Sequence, residues 1–141
     1  MSNVKEVMTD SCSTLTLLDN VYEAAVLMKQ QDIGFVPIVD QGRVVGVVTD
    51  RDIVIRGVAE KHPNSAHIRD VMTEHIISVR SNMSVDEAAE VMAEHQVRRL
   101  PVIDDGQLVG VVSLGDLAVR RPLADEAGQA LSEISESPYT H

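Results

Sequence analysis

The chain has 141 residues and a mass of 15.4 kDa, with 44% apolar and 24% charged side chains, the make-up of a soluble globular unit rather than a disordered chain. Twelve Lys and Arg against 22 Asp and Glu leave a formal charge of −10. That is the opposite of the basic footprint nucleic-acid binding needs, and the aromatics Tyr22, Phe35 and Tyr139 are too few to form a stacking platform for bases. The single cysteine, Cys12, excludes an internal disulfide and a Cys-x-x-Cys metal knuckle. A polar amino terminus, and apolar runs all far shorter than about 20 residues, complete the expectation of a cytoplasmic, non-membrane protein.

An internal repeat organises the sequence. Shifted by 64 residues, Val7 to Val54 falls on Val71 to Ala118 without a gap, and 16 of the 48 pairs are identical. The identities include Val7-Met8-Thr9 with Val71-Met72-Thr73, Glu23-Ala24-Ala25 with Glu87-Ala88-Ala89, Pro37 with Pro101, Val45 to Val48 with Val109 to Val112, and Asp52 with Asp116.

In chain order, Val4 to Met8 and Ile68 to Met72 read as matching lead-in turns. Cys12 to Leu15 and Ile76 to Val79 are short β-rich runs. Val21, Ala24, Ala25 and Met28, and likewise Val85, Ala88, Ala89 and Met92, repeat at the spacing of a helical face. Strands follow over Phe35 to Asp40 and Arg43 to Thr49, and over Arg99 to Asp104 and Gln107 to Ser113, each pair joined by a glycine-containing turn of hairpin length. A second helix is expected from about Asp50 and from Leu114.

The predicted boundaries are a first repeat over 4–58, a connector over 59–67, a second repeat over 68–121 and a terminal segment over 122–141. In that last segment Leu123 to Ile134 can form one amphipathic helix and Ser135 to His141 a frayed tail. The fold class is α/β: two β-α-β-β-α repeats sharing a core about a pseudo-twofold axis, because about 50 residues bury too little surface alone.

Chemistry is expected where each hairpin runs into its last helix, at Gly46-Val47-Val48-Thr49-Asp50-Arg51-Asp52 and Gly110-Val111-Val112-Ser113-Leu114-Gly115-Asp116. One reading is helix capping, with Thr49 or Ser113 as N-cap and the acid three residues on closing a capping box. The other uses the same geometry for a ligand: free N–H groups at a helix start favour a phosphate, and a nearby carboxylate accepts hydrogen bonds from a ribose diol. Arg98 and Arg99 stand just before Leu100-Pro101. Two adjacent guanidinium groups cannot both face a strand's apolar side, so at least one reaches solvent, a salt bridge or a phosphate. The first repeat carries Gly34 and Phe35 there, so the two sites should differ.

The five histidines lack paired metal-ligand spacing, lone Cys12 reads as a small packing residue, and GxSxG, P-loop and GxGxxG motifs are missing. Catalytic and metal-binding residues are therefore not predicted.

The repeated Val-Met-Thr, the Ala-Ala helix, the hydrophobic-Pro-hydrophobic strand and the Gly-hydrophobic-hydrophobic-Thr/Ser-x-x-Asp segment resemble a tandem pair of cystathionine-β-synthase (CBS) domains, a Bateman module, from Val4 to about Arg121. The resemblance implies an α/β pair that dimerises and binds adenosine-containing ligands between repeats. It implies that Thr49 and Ser113 meet phosphate while Asp52 and Asp116 meet ribose. The Val97–Pro101 and Val111–Asp116 segments are similar to AMP-binding repeats of the AMP-activated kinase gamma subunit, which implies phosphate contacts for Arg98 and Arg99. It further implies that Ser13, Gly34 and Phe35 line the adenine end of the second cleft and Ile77 that of the first, with Val111 beside the ligand.

The expected function is a non-enzymatic sensor with no required cofactor. Its ligand would be AMP or another adenosine nucleotide, and its partners a second copy of itself and an unknown effector protein. The principal alternative is a ligand-free structural or interaction module with closed clefts. A weak nucleotidase and a DNA-binding regulator rank behind both.

Overall fold

The structure, a computed structural model, describes residues 2–118. The expected helix over Leu123 to Ile134, the tail beyond it and the end of the second repeat lie outside the described residues.

The elements are α1 (Val4–Val7), α2 (Val21–Gln31), β1 (Phe35–Asp40), β2 (Arg43–Thr49), α3 (Asp50–Asp52), a π-helical stretch (Ile53–Val58), a 3₁₀ turn (Ile68–Asp70), α4 (Val85–His95), β3 (Arg99–Asp104), β4 (Gln107–Ser113) and α5 (Leu114–Ala118). They form two compact units. One is Ser13–Ile76; the other joins residues 2–12 to 77–118. Each unit is a mixed α/β assembly, and each takes its lead-in segment from the other sequence repeat.

In the Ser13–Ile76 unit, β1 and β2 form an antiparallel hairpin with Phe35 opposite Thr49 and Asp40 opposite Arg43. Gln41 and Gly42 both have positive φ, 51° and 80°, as a type I′ turn requires. The register shifts between Ile38 and Val39, leaving Val45 as the extra residue of a bulge. Helix α2 starts on a capping box in which the Asn20 side chain accepts from Glu23 N–H at 2.8 Å. Its buried face, Val21, Ala24 and Met28, packs with Leu15, Val36, Ile38 and Val48. The core closes with Ile68, Val71 and Met72, which belong to the second repeat in sequence.

The other unit repeats this plan. β3 and β4 pair with Arg99 opposite Ser113, the turn residues Asp105 and Gly106 have φ of 53° and 80°, and the bulge recurs between Val102 and Ile103. Helix α4 is capped by Ser84, whose hydroxyl accepts from Glu87 N–H at 3.1 Å. Val85, Ala88, Ala89 and Met92 pack against Leu100, Val102 and Val112, and Val4 from the amino-terminal segment is fully buried among them.

The exchange is fixed by two glycines. Thr9 and Val111 exchange backbone hydrogen bonds of 2.9 Å in both directions, and Thr73 and Val47 do the same at 2.7 and 3.0 Å. A Cβ on Gly110 would stand 2.7 Å from the Met8 sulfur and 2.8 Å from the Thr9 carbonyl oxygen, and one on Gly46 2.9 Å from the matching atoms of Met72 and Thr73. Only glycine admits the lead-in strand at this distance.

Two expected elements come out shorter. The β-rich runs at Cys12 to Leu15 and Ile76 to Val79 reduce to single parallel bridges, Leu15 to Ile38 and Val79 to Val102. Leu15 N–H donates to the Pro37 carbonyl and Val39 N–H to the Leu15 carbonyl, and Val79 does likewise with Pro101 and Ile103. The preceding rung would need an N–H on Pro37 or Pro101, which proline lacks. The helix after β2 holds α-form only over Asp50–Asp52 and then widens, with Ala59 N–H bonding to the Val54 carbonyl. The β-branched run Ile53-Val54-Ile55 crowds a tight α-turn.

Candidate functional site

Both hydroxyl-x-x-Asp segments sit at the junction between a β-strand and a short helix, and both form capping boxes. Asp52 N–H donates to Thr49 Oγ1 at 3.1 Å while Thr49 N–H donates to Asp52 Oδ2 at 3.0 Å. Asp116 N–H donates to Ser113 Oγ at 3.1 Å and Ser113 N–H to Asp116 Oδ2 at 2.8 Å. The capping expectation is met at both positions. One carboxylate oxygen per pair is thus engaged by the strand end, and all four residues remain half-buried rather than sealed.

The surroundings differ. In the Ser13–Ile76 unit, the Thr73 hydroxyl donates to both oxygens of Asp52 at 3.2 and 3.3 Å. Arg56 Nη1 donates to the Met72 carbonyl at 2.8 Å, holding that lead-in segment in place. Gly34 lies against the helix start: Asp50 N–H bonds to the Gly34 carbonyl at 3.1 Å, and a Cβ on Gly34 would be 2.9 Å from Asp50 Oδ2. Phe35 is the register partner of Thr49. The Ser13 hydroxyl donates to Gln31 Oε1.

In the other unit, Leu114 takes the place of Asp50 and is buried, and its N–H bonds to the Arg98 carbonyl at 2.7 Å. Among the described residues, Asp116 has only Ser113 as a side-chain or backbone partner besides its own helix. Arg98 is half-buried, and its Nε, shut off from solvent, has no hydrogen-bond partner among the described residues. Buried guanidinium donors ordinarily find an acceptor. Arg99 is exposed and faces Ser113 across the hairpin. Val111 bonds Thr9 through both backbone groups, and its side chain is half-buried. Ile77 lies at the start of this unit and packs on the edge of its core.

So Thr49, Asp52, Ser13, Gly34 and Phe35 share one compact unit, and Ser113, Asp116, Arg98, Arg99, Val111 and Ile77 share the other. The sequence does not single out Thr73, Asp50 or Arg56. For Thr73 a signal exists in the duplicated Val-Met-Thr; for the other two it does not.

Burial raises the Cys12 thiol above its ordinary pKa, its backbone hydrogen bond opposes this, and the Asp10 charge adds to it. That environment disfavours a thiolate nucleophile. Among the described residues no three His, Cys, Asp or Glu side chains gather to hold a metal ion, and no helix is long and apolar enough to cross a membrane.

The CBS domain family matches residues 4–57 and 68–121. The chain belongs to the CBS-domain family. The uncharacterized protein YlbB of Bacillus subtilis (strain 168) is 50% identical over 138 residues, 96% of this chain and 93% of its own length. Hypoxic response protein 1 of Mycobacterium tuberculosis (strain ATCC 25618 / H37Rv) is 39% identical over 124 residues, 86% of this chain and 87% of its own. A crystal structure of Hypoxic Response Protein I with two coordinated zinc ions superposes with a TM-score of 0.77, covering 84% of this chain and 98% of that one at 39% identity. The CBS domain pair of protein MJ0100, crystallised with 5′-methylthioadenosine and S-adenosyl-L-methionine, superposes with a TM-score of 0.75 at 28% identity, covering 84% of this chain and 98% of that one.

Proposed function

We propose that this CBS pair is a non-enzymatic, cytoplasmic regulatory module that binds adenosine-containing ligands and passes occupancy to an effector protein through a homodimer. The observation that carries the reading is the cluster in the second unit: a hydroxyl and a carboxylate at Ser113 and Asp116, beside Arg99 and a buried Arg98 Nε with no acceptor among the described residues. A phosphate supplies acceptors for guanidinium and hydroxyl donors, and a ribose diol supplies donors for the free carboxylate oxygen. The adenosyl ligands held by the MJ0100 pair support this ligand class.

The capping boxes describe the resting state. The Ser113 oxygen accepts from Asp116 N–H, so its own O–H is left to donate to a phosphate oxygen, and ligand entry does not require the cap to break. Occupancy alters output only if the ligand binds two arrangements of the dimer with different affinity. Tyr22, Val54, Ile55 and Val58, 57%, 55%, 47% and 69% exposed, give an apolar surface suited to a second copy.

The second reading, a ligand-free interaction module, is favoured by the same capping boxes, which satisfy the two pairs without a ligand. Thermal denaturation with AMP, ATP, S-adenosylmethionine and NAD separates the two. A ligand at a hundredfold excess over its Kd stabilises by about 2.7 kcal/mol, and Asp116→Ala should abolish that rise. A flat melting temperature across all four ligands at millimolar concentration supports the closed module.

A further inference from the structure

The two hydroxyl-x-x-Asp segments share the capping-box geometry and differ in the charges that directly adjoin it. At the Thr49 segment, Asp50, Arg51 and Asp52 with the neutral Gly34 and Phe35 leave one net negative charge. At the Ser113 segment, Arg98, Arg99 and Asp116 with the neutral Leu114 and Gly115 leave one net positive charge. The reversal turns on two equivalent positions that touch each other in both units. Asp50 N–H bonds to the Gly34 carbonyl, and Leu114 N–H bonds to the Arg98 carbonyl.

Asp50 is placed to act on a ligand. It is exposed, its Oδ1 accepts from Arg51 N–H at 2.8 Å, and its Oδ2 lies 2.9 Å from where a Gly34 Cβ would stand. The carboxylate therefore stands against the position at which the other repeat carries the side chain of Arg98. Arg56 keeps its positive charge, with Nη1 held on the Met72 carbonyl. A phosphate brought to Thr49 meets an anion where a phosphate brought to Ser113 meets a guanidinium.

We infer that Asp50 is a specificity-determining residue that makes the Thr49–Asp52 site select adenosyl ligands with a neutral or cationic 5′ substituent, while the Ser113–Asp116 site selects a 5′-phosphate. This rests on the ligand reading above. Asp52 keeps the capacity to hold a ribose, since carboxylate oxygens accept more bonds than Thr49 and Thr73 supply. The 5′ end is what the site discriminates. One unit charge a few ångströms from a phosphate near the surface is worth about tenfold in affinity.

The test is calorimetric titration of the whole protein at low ionic strength with AMP, adenosine and S-adenosylmethionine. Asp52→Ala and Asp116→Ala assign each binding event to its site. At the Ser113 site AMP should bind about tenfold more tightly than adenosine. At the Thr49 site the order should reverse, with S-adenosylmethionine tightest. Asp50→Asn, which keeps the Oδ1 bond to Arg51, should raise AMP affinity at the Thr49 site about tenfold and leave the Ser113 site unchanged. Equal preference for AMP over adenosine at both sites, or a Thr49 site indifferent to Asp50→Asn, overturns the inference and leaves the ligand reading standing. Failure of every ligand to bind the wild-type protein overturns both.

Discussion

The two units differ less in scaffold than in what decorates it. Hairpins, bulges, capping boxes and the Met-Thr strand lying over a glycine recur at equivalent positions. The side chains facing the strand–helix junction do not. Asp52 is tied down by Thr73, whereas among the described residues no such bond joins Thr9 to Asp116. Conversely, Ser81 and Asp104 staple the second unit, with Ser81 N–H and Oγ donating to the two carboxylate oxygens at 3.0 and 2.5 Å, where the first repeat has Leu17 and Asp40. Duplication preserved the backbone contacts that make the fold and released the polar positions to diverge in chemistry.

The comparison is most sharply broken at the glycines. Gly46→Ala and Gly110→Ala should each destabilise by about 1–3 kcal/mol in urea denaturation. Trimming Met8 in the Gly110→Ala background should restore little, because the Thr9 carbonyl also blocks the new methyl group. Full rescue by Met8→Ala would show that the strand is free to move away.

A smaller effect separates the two acids. Asp116→Ala removes the acid half of a capping box at about 1 kcal/mol, while Asp52→Ala also strands the Thr73 hydroxyl and should cost about 2 kcal/mol. Equal costs, measured by urea denaturation, would remove Thr73 from the account.

The smallest expected effect concerns acid. Asp104 titrates below the ordinary carboxylate range because of the Ser81 hydroxyl first and the Ser81 N–H second, with lesser help from the Arg80 and Lys5 charges against a small burial cost. A carboxyl with a depressed folded pKa adds stability above its unfolded value, about 3.9, and loses it as pH falls through the folded pKa. Wild-type protein should therefore lose more stability than Ser81→Ala between about pH 5 and about pH 3. Parallel loss in the two proteins would dismiss the staple.

Much of this was legible in sequence because it depends on local spacing. The hairpins follow from Gln41-Gly42 and Asp105-Gly106, and the caps from a hydroxyl three residues before an acid. The exchange of lead-in segments was not legible, and the reason is the repeat itself. Since Val-Met-Thr occurs at both 7–9 and 71–73, and Gly-Val-Val at both 46–48 and 110–112, the sequence is equally satisfied by either pairing. Spatial closure alone decides that Thr9 meets Val111 and Thr73 meets Val47. Asp50 was hidden differently: its importance lies in contact with Gly34, sixteen residues away across a hairpin, and a glycine offers no side chain to suggest a partner.

A crystal structure of the protein grown with AMP tests the central claim most directly. The account predicts the ribose diol on the Asp116 carboxylate, with the phosphate within hydrogen-bond reach of the Ser113 hydroxyl and of Arg98 or Arg99. Ser113 and Asp116 still bonded only to each other under saturating AMP, with the nucleotide missing from that junction, would contradict it.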